Sequence, residues 1–209
     1  MKKIGVLVCL ALLGFLGYRT YWSGPKPLKD FSVNGENIIC FGDSLTYGTG
    51  AAPGGDYPSQ LGKLISRTVM NKGVPGDTTS SALVRLDRDV LSQSPRIVLI
   101  TLGGNDLKNG IPKDIAFANL KTIIEAIQDN GALVMVGGVD VPLWGRGYGE
   151  GYEEVCRNTG AVLIPNILDG IMGKSKLMND PIHPNDFGYT QVAERFYKAL
   201  QATVPAGAL

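Results

Sequence analysis

The sequence has no marked excess of charge of either sign. Lysine and arginine together number 20, aspartate and glutamate number 19, and the longest basic run is Lys2-Lys3. Proteins that bind nucleic acid concentrate positive charge on one face, because they neutralise phosphates. We therefore expect no nucleic-acid partner.

Cysteine and histidine are also scarce. The cysteines are Cys9, Cys40 and Cys156, and the single histidine is His183. The cysteines lack the short paired spacing of a zinc site, so no metal site is predicted. Cys40 and Cys156 lie in apolar or helical patterns and are interpreted as small buried side chains, with a disulfide between them as the alternative.

The chain has neither an internal repeat nor a low-complexity block, and its 44% apolar residues are typical of a globular domain. Short runs rich in valine and isoleucine alternate with segments of helical periodicity, which is the pattern of β-α units around a parallel sheet. The predicted fold class is α/β, with three α/β/α layers. Strands are predicted at 37–41, 68–71, 97–102, 132–136 and 161–164, and the clearest helices at 112–130 and 186–200.

The N-terminal segment differs from the rest. Lys2-Lys3 precedes an uncharged apolar stretch over residues 4–18, and no small-residue cleavage site follows it. We interpret residues 1–22 as a signal peptide or membrane anchor, residues 23–35 as a linker and residues 36–209 as the folded domain. The protein is accordingly expected to be exported to the cell envelope, where it is either periplasmic or anchored in the inner membrane.

A serine follows the first predicted strand, in the run Gly42-Asp43-Ser44-Leu45. Ligands bind at the carboxyl ends of the strands in such sheets, so a nucleophile would be accessible there. A serine in this position is also a common helix N-cap. Ser44 is therefore a candidate nucleophile that needs a partner.

The partner is predicted in the run Asp180-Pro181-Ile182-His183, because His183 is the only histidine that could serve as a base. A neutral imidazole can accept a hydroxyl proton, and a carboxylate three residues earlier can orient the ring. A histidine in an ordinary surface loop is the structural alternative.

Two further blocks lie after predicted strands. The third strand ends in Gly103-Gly104-Asn105, whose side-chain amide could hold an oxyanion, although an asparagine here could also simply form a turn. Gly73 follows the second strand and could offer a backbone N–H. Asp43 and Asp106 are interpreted as side chains that brace their turns, not as a second acid or metal ligands.

These blocks resemble the SGNH, or GDSL, hydrolase family over about residues 36–200, and they occur in the family's order, with Ser44, Gly73, Asn105 and His183. The resemblance implies a five-stranded parallel sheet of flavodoxin-like order and no metal or organic cofactor. It also implies a triad of Ser44, His183 and Asp180. The implied oxyanion hole consists of the backbone N–H groups of Ser44 and Gly73 and the Asn105 amide.

The order of elements is most similar to the branch that contains arylesterases, acyl-CoA thioesterase I and lysophospholipase L1. In that branch the loop after the fourth strand shapes the acyl site, and here it contains Leu143-Trp144-Gly145 and Tyr148. We interpret it as a partly apolar lid in which Trp144 and Tyr148 contact the substrate, with an ordinary surface loop as the alternative. Branch members often carry Asn-Tyr-Gly in this loop, so the acyl-chain preference is not predicted.

The predicted function is that of a serine esterase, which hydrolyses carboxylic esters or thioesters of a small molecule or lipid through an acyl-enzyme. A carbohydrate O-deacetylase acting on envelope glycan is an open alternative, because the same scaffold supports both reactions. A non-catalytic binding module is the alternative of another class. Such a module would be expected to lack the serine, the histidine or the amide, and all three are present.

Overall fold

The computed structural model describes residues 34–140 and 147–205. The predicted leader, most of the predicted linker and Trp144 lie outside these residues. Among the helices of the described ranges, none has both the length and the apolar character that crossing a membrane requires.

Five strands form one parallel sheet in the order β2-β1-β3-β4-β5. They are β1 (Asn37–Gly42), β2 (Val69–Gly73), β3 (Pro95–Thr101), β4 (Leu133–Gly137) and β5 (Val162–Ile164). This is the flavodoxin-like order of doubly wound sheets. The predicted fold class and sheet are confirmed, and strand ends differ from the predicted ones by at most two residues.

Six of the described helices lie in the connections between strands, and the seventh follows β5. They are α1 (Ser44–Tyr47), α2 (Tyr57–Ile65), α3 (Thr79–Asp89), α4 (Gly104–Lys108), α5 (Lys113–Asp129), α6 (Tyr148–Thr159) and α7 (Asp186–Thr203), with a 3-10 turn at Leu91–Gln93. The two helices predicted most clearly are α5 and α7. Helix α5 ends where predicted, at Asn130 and Gly131, and α7 extends three residues beyond its predicted end.

The sheet is covered on both faces, because successive residues of a strand point to opposite sides. In β1, Ile38 and Cys40 face a core layer with α2 and α7, whereas Ile39 and Phe41 face a layer with α3, α5 and α6. All four side chains are buried. Burying a large aliphatic or aromatic side chain contributes about 1.5–3 kcal/mol. The three predicted layers are therefore present.

The two described cysteines lie on opposite sides of this sheet. Cys40 packs in the α2 and α7 layer and Cys156 in the layer of α3, α5 and α6, and both are free and buried. Burial raises the pKa of both thiols, that of Cys156 to about 12. The prediction of small buried side chains is confirmed, and the alternative of a disulfide between them is wrong.

Because all five strands are parallel, their carboxyl ends meet at one edge of the sheet. The segments that follow β1, β2 and β3 begin at this edge, and the turn before α7 reaches it as well. This edge carries the candidate site.

Candidate active site

Ser44 begins the short helix α1 directly after β1. Asp43 is the N-cap of that helix, and its Oδ1 accepts the Leu45 N–H at 2.9 Å. The cap fixes the turn between strand and helix. Ser44 itself is partly exposed, as the predicted nucleophile position requires.

The ring of His183 connects Ser44 to Asp180. Its Nε2 lies 3.0 Å from the Ser44 Oγ, and its Nδ1 lies 2.7 Å from the Asp180 Oδ2. The other carboxylate oxygen, Asp180 Oδ1, accepts the backbone N–H groups of Ile182 at 2.9 Å and His183 at 2.8 Å. The Asp180 carboxylate therefore fixes both the backbone of this turn and the His183 ring.

This arrangement assigns the ring nitrogens. Desolvation raises the pKa of Asp180, but the hydrogen bonds from the His183 ring and from the two backbone N–H groups outweigh it, so the pKa lies below its ordinary value. An ionised carboxylate accepts the Nδ1–H, which leaves Nε2 to accept a proton from the Ser44 hydroxyl. The structure thus brings together the three residues predicted as a triad.

Asn105 lies in helix α4, after β3, beside the Ser44 turn. Its Nδ2 donates to the backbone oxygen of Asp77 at 2.9 Å and lies 3.2 Å from the Asp43 Oδ2. The predicted amide donor therefore stands between the nucleophile turn and the loop that follows β2. The second of these contacts is the longer and hence the weaker.

Gly73 is placed differently from the prediction. Its N–H donates to the Asn71 Oδ1 at 2.9 Å, and a Cβ at this position would lie 2.1 Å from the Tyr47 backbone nitrogen. The residue packs closely against α1, and its N–H would have to lose an existing bond to reach an oxyanion. In residues 34–140 and 147–205, the N–H groups of Ser44 and Gly76 have no hydrogen-bond acceptor.

Tyr148, predicted to contact the substrate, is 4% exposed and begins helix α6. Its ring packs against Phe117, with 5.3 Å between the ring centroids, and against Tyr152, with 6.4 Å. Within the described residues its hydroxyl is buried without a hydrogen-bond partner. Tyr148 is thus a core residue of this structure, and its contact with substrate stays a prediction, as does that of Trp144.

Three carboxylates are buried near the site, namely those of Asp43, Asp77 and Asp106. Asp106 accepts the Thr79 N–H at 2.9 Å and the Thr79 hydroxyl at 2.6 Å, so it ties α4 to α3. Asp43 and Asp106 therefore brace the structure as predicted. In the part of the chain that the structure describes, no cluster of histidine, cysteine and acidic side chains could hold a metal ion.

Burial changes the pKa of the Asp43 carboxyl. Desolvation raises its pKa to about 7; the Leu45 N–H bond opposes this shift, and the nearby negative charges of Asp77 and Asp106 add to it.

Sequence reasoning missed one buried residue at this edge, Arg85 of helix α3. Its side chain is 9% exposed and forms an ion pair with Asp77 at 2.6 Å. The available signal was the pair of Arg85 and Asp89 at i,i+4, which by itself predicts only a surface ion pair.

In this α/β fold, a serine, a histidine and an aspartate are in hydrogen-bond contact at the carboxyl edge of the sheet. This is the arrangement of a serine hydrolase. Residues 40–191 match the GDSL-like Lipase/Acylhydrolase family, and the chain belongs to this family.

Relatives span most of the chain. An arylesterase of Vibrio mimicus is 31% identical over 178 residues, which is 80% of this chain and 89% of the relative. Thioesterase 1/protease 1/lysophospholipase L1 of Escherichia coli K12 is 29% identical over 177 residues, 81% of this chain and 85% of the relative.

A similar solved structure is that of AlinE4, an SGNH-hydrolase family esterase. It has a TM-score of 0.65 and 29% identity, and the match covers 82% of this chain and 99% of AlinE4. The chain is therefore a hydrolase that acts on ester bonds, and the predicted enzyme class is confirmed.

Proposed function

We propose that Ser44 attacks carboxylic esters or thioesters and forms an acyl-enzyme, with His183 as the base and Asp180 as the residue that orients it. The observation that carries this assignment is the chain of two hydrogen bonds, 3.0 Å from Ser44 to His183 and 2.7 Å from His183 to Asp180. Both distances lie within the range in which a proton can be transferred.

In the first half-reaction, His183 Nε2 takes the proton of the Ser44 hydroxyl while Oγ attacks the ester carbonyl. The imidazolium that forms is stabilised by the ionised Asp180 and then gives its proton to the leaving alcohol or thiol. In the second half-reaction, His183 removes a proton from the water that attacks the acyl-enzyme, and it then gives this proton to the Ser44 Oγ as the acid leaves.

The oxyanion that forms during each attack needs fixed donors. We assign the Ser44 backbone N–H, the Asn105 amide and, in place of the predicted Gly73, the Gly76 N–H. Gly76 directly precedes Asp77, whose carbonyl holds the Asn105 amide, and its own N–H has no acceptor in the described ranges. Of the two Asn105 contacts, the longer one to Asp43 is the one that an oxyanion would replace.

The surroundings of the triad favour a substrate with an apolar acyl chain. Tyr47, Val74 and Ile182 are 58%, 40% and 47% exposed, and each lies within a few residues of a site residue. Exposed apolar side chains beside a site can contact an apolar ligand. We therefore propose a lipid-type ester as the substrate class, as the name of the lysophospholipase relative suggests.

The leader supports a location near lipid. Residues 4–18 are apolar and uncharged and follow Lys2-Lys3, so we propose that residues 1–22 direct the protein to the cell envelope. Mass spectrometry of protein extracted from the envelope checks this: intact residues 1–22 mean an anchor, and a shortened chain means a cleaved signal. Protein found only in the cytoplasm would contradict the proposal.

The central experiment is hydrolysis of p-nitrophenyl esters from acetate to long acyl chains by the full-length protein in mild detergent, with Ser44→Ala as the control. The proposal predicts a Ser44-dependent rate that rises toward medium or long chains. Activity on acetate alone would instead favour the glycan O-deacetylase. Absence of Ser44-dependent turnover on every chain would contradict the esterase proposal.

A further inference from the structure

The guanidinium of Arg85 contacts three separate segments at the carboxyl edge of the sheet. The Arg85 side chain is 9% exposed, and its Cζ atom lies 4.3 Å from the centroid of the Phe41 ring. Its hydrogen bonds run from Nε to the Asp77 Oδ2 at 2.6 Å, from Nη1 to the Lys72 O at 3.0 Å and to the Asp89 Oδ2 at 2.9 Å, and from Nη2 to the Gly42 O at 2.9 Å.

Three of the four acceptors lie in segments that carry a proposed oxyanion donor or adjoin such a segment. Gly42 ends β1, two residues before Ser44. Lys72 is the next-to-last residue of β2, and the loop that contains Gly76 follows this strand. Asp77 follows Gly76 in that loop. The fourth acceptor, Asp89, lies on the same helix as Arg85 and forms the i,i+4 ion pair that anchors the guanidinium.

We propose that Arg85 is a positioning residue for the oxyanion hole, because its guanidinium holds the Ser44 turn and the loop around Gly76 and Asp77 at a fixed distance from each other. This inference rests on the proposed function. Arg85 touches neither Ser44 nor His183 among its hydrogen-bond partners, so it acts on the reaction through the groups that it holds.

The connection from Arg85 to Asn105 runs through Asp77. The Asp77 carboxylate receives the Arg85 Nε on one oxygen and the Ser81 hydroxyl, at 2.9 Å, on the other. The backbone oxygen of the same residue accepts the Asn105 amide at 2.9 Å. A shift of Asp77 would therefore move the acceptor that orients Asn105, and with it the adjacent Gly76 N–H.

The connection to Ser44 runs through Gly42. The Gly42 carbonyl accepts both the Arg85 Nη2 and the Val74 N–H, each at 2.9 Å. The same carbonyl thus ties the last residue of β1 to the loop after β2, and Arg85 supplies its second hydrogen bond. Because the Ser44 turn begins at the next residue, its distance from the loop depends on this contact.

Arginine suits this position better than lysine does. The planar guanidinium supplies donors in several directions from a rigid frame, whereas a lysine ammonium is a point charge on a flexible stem. Lysine at this position retains the positive charge beside Asp77 and Asp89 but cannot reach all four acceptors in the same geometry. The substitution Arg85→Lys therefore separates the charge of Arg85 from its positioning role.

The test compares Arg85→Lys with Arg88→Lys, a matched control on the same helix, using the full-length protein. Arg88 also pairs with Asp89, but its side chain is 75% exposed. We expect Arg85→Lys to lower kcat for a p-nitrophenyl ester by about tenfold to a hundredfold while KM stays nearly unchanged, because displaced oxyanion donors act in the transition state. Arg88→Lys is expected to retain the kcat of the unmodified protein.

Two additional measurements separate positioning from general stability. Affinity for an alkyl boronic acid, which mimics the tetrahedral intermediate, should fall with kcat in Arg85→Lys. In Arg85→Ala, millimolar guanidinium should restore part of the lost rate, whereas equal concentrations of ammonium should not. If Arg85→Ala does not fold, the measurements on Arg85→Lys still decide.

Hydrogen exchange gives a readout that needs no turnover. The hydrogen-bonded amides on both sides of Arg85, those of Leu45, Val74 and Asp77, should exchange faster in Arg85→Lys than in Arg88→Lys. Unchanged exchange there, or an unchanged kcat in Arg85→Lys, would overturn the inference, as would a lowered kcat with unaltered boronic-acid affinity. Absence of Ser44-dependent turnover in the unmodified protein would count against the proposed function instead, and exchange would still test the position of Arg85.

Discussion

The Nε2 atom of His183 lies 3.0 Å from the Oγ of Ser44, although 139 positions separate the two residues in the chain. Ser44 stands at the end of the first strand, and His183 stands in the turn before the last helix. The contact therefore depends on the complete parallel sheet between them, which carries both residues to one edge.

The carboxylate of Asp180 should be essential for catalysis but not for folding. Asp180→Asn removes the charge that stabilises the His183 imidazolium and alters the preferred ring tautomer, so kcat should fall by about a thousandfold or more. Ester hydrolysis at neutral pH measures the effect, and Asp114→Asn, at an exposed acidic residue of α5, is the control. Equal rates in the two variants would remove Asp180 from the mechanism.

The Asn105 amide should matter in the transition state. Asn105→Ala removes one oxyanion donor, and such a loss costs about a hundredfold or more in kcat. The variant should remain folded by circular dichroism, since Asn105 is only partly buried. Asn109→Ala, at the exposed end of the same helix, serves as the comparison. Retention of the full rate in Asn105→Ala would exclude this residue as a donor.

Asp43 should make the protein less stable as the pH rises. Burial raises the pKa of this carboxyl from its ordinary value of 3.8 to about 7. Below about pH 4 the group is protonated in both states. Between about pH 4 and pH 7 the unfolded chain loses the proton while the folded protein keeps it, so this group's contribution to the free energy of unfolding falls until about pH 7.

Asp43→Asn checks this, because asparagine does not titrate and can still cap α1. The free energy of unfolding of the variant, minus that of the unmodified protein, should increase from pH 4 to pH 7 in urea denaturation. A difference that is constant across this interval would show that Asp43 does not titrate there.

Gly73, which ends β2, and Gly76, which lies in the loop after β2, should respond differently to alanine. At Gly73 the added Cβ would lie 2.1 Å from the Tyr47 backbone, so α1 would have to move, at a cost of about 1–3 kcal/mol. At Gly76 nothing lies within 4 Å, and the cost is the backbone strain of a φ of +87°, about 1–2 kcal/mol.

Because α1 carries Ser44, Gly73→Ala should lose both thermal stability and kcat, whereas Gly76→Ala should affect α1 little. Melting temperatures and ester hydrolysis of the two variants provide the comparison. A Gly73→Ala protein with unaltered melting temperature would contradict the close packing against α1.

Much of the fold could be predicted because its signals are local. The runs that became β3 and β4 are almost continuously apolar, and α5 combines helical periodicity with a stop at Asn130 and Gly131. Ser44, Asp180 and His183 could be found because short blocks around them resemble a known family. Their contact could not be derived from spacing, because it depends on the sheet order.

Sequence reasoning falls short where neighbours in space decide the role of a residue. The sequence does not reveal that the Asn71 Oδ1 accepts the Gly73 N–H. The sequence pattern predicts a loop at Tyr148, but helix α6 begins there and the tyrosine ring is buried in the core. Arg85 has the sequence pattern of a surface residue, and only the packing of α3 on the sheet buries its guanidinium.

The positions of Cys40 and Cys156 make them natural reporters of unfolding. Thiols that are buried, with raised pKa values, react slowly with alkylating reagents until the surrounding layer opens. Since one thiol lies in each helical layer, the order in which the two are modified in mild denaturant would tell which side of the sheet separates first. The protein thus contains a built-in probe for each half of its core, without any engineered substitution.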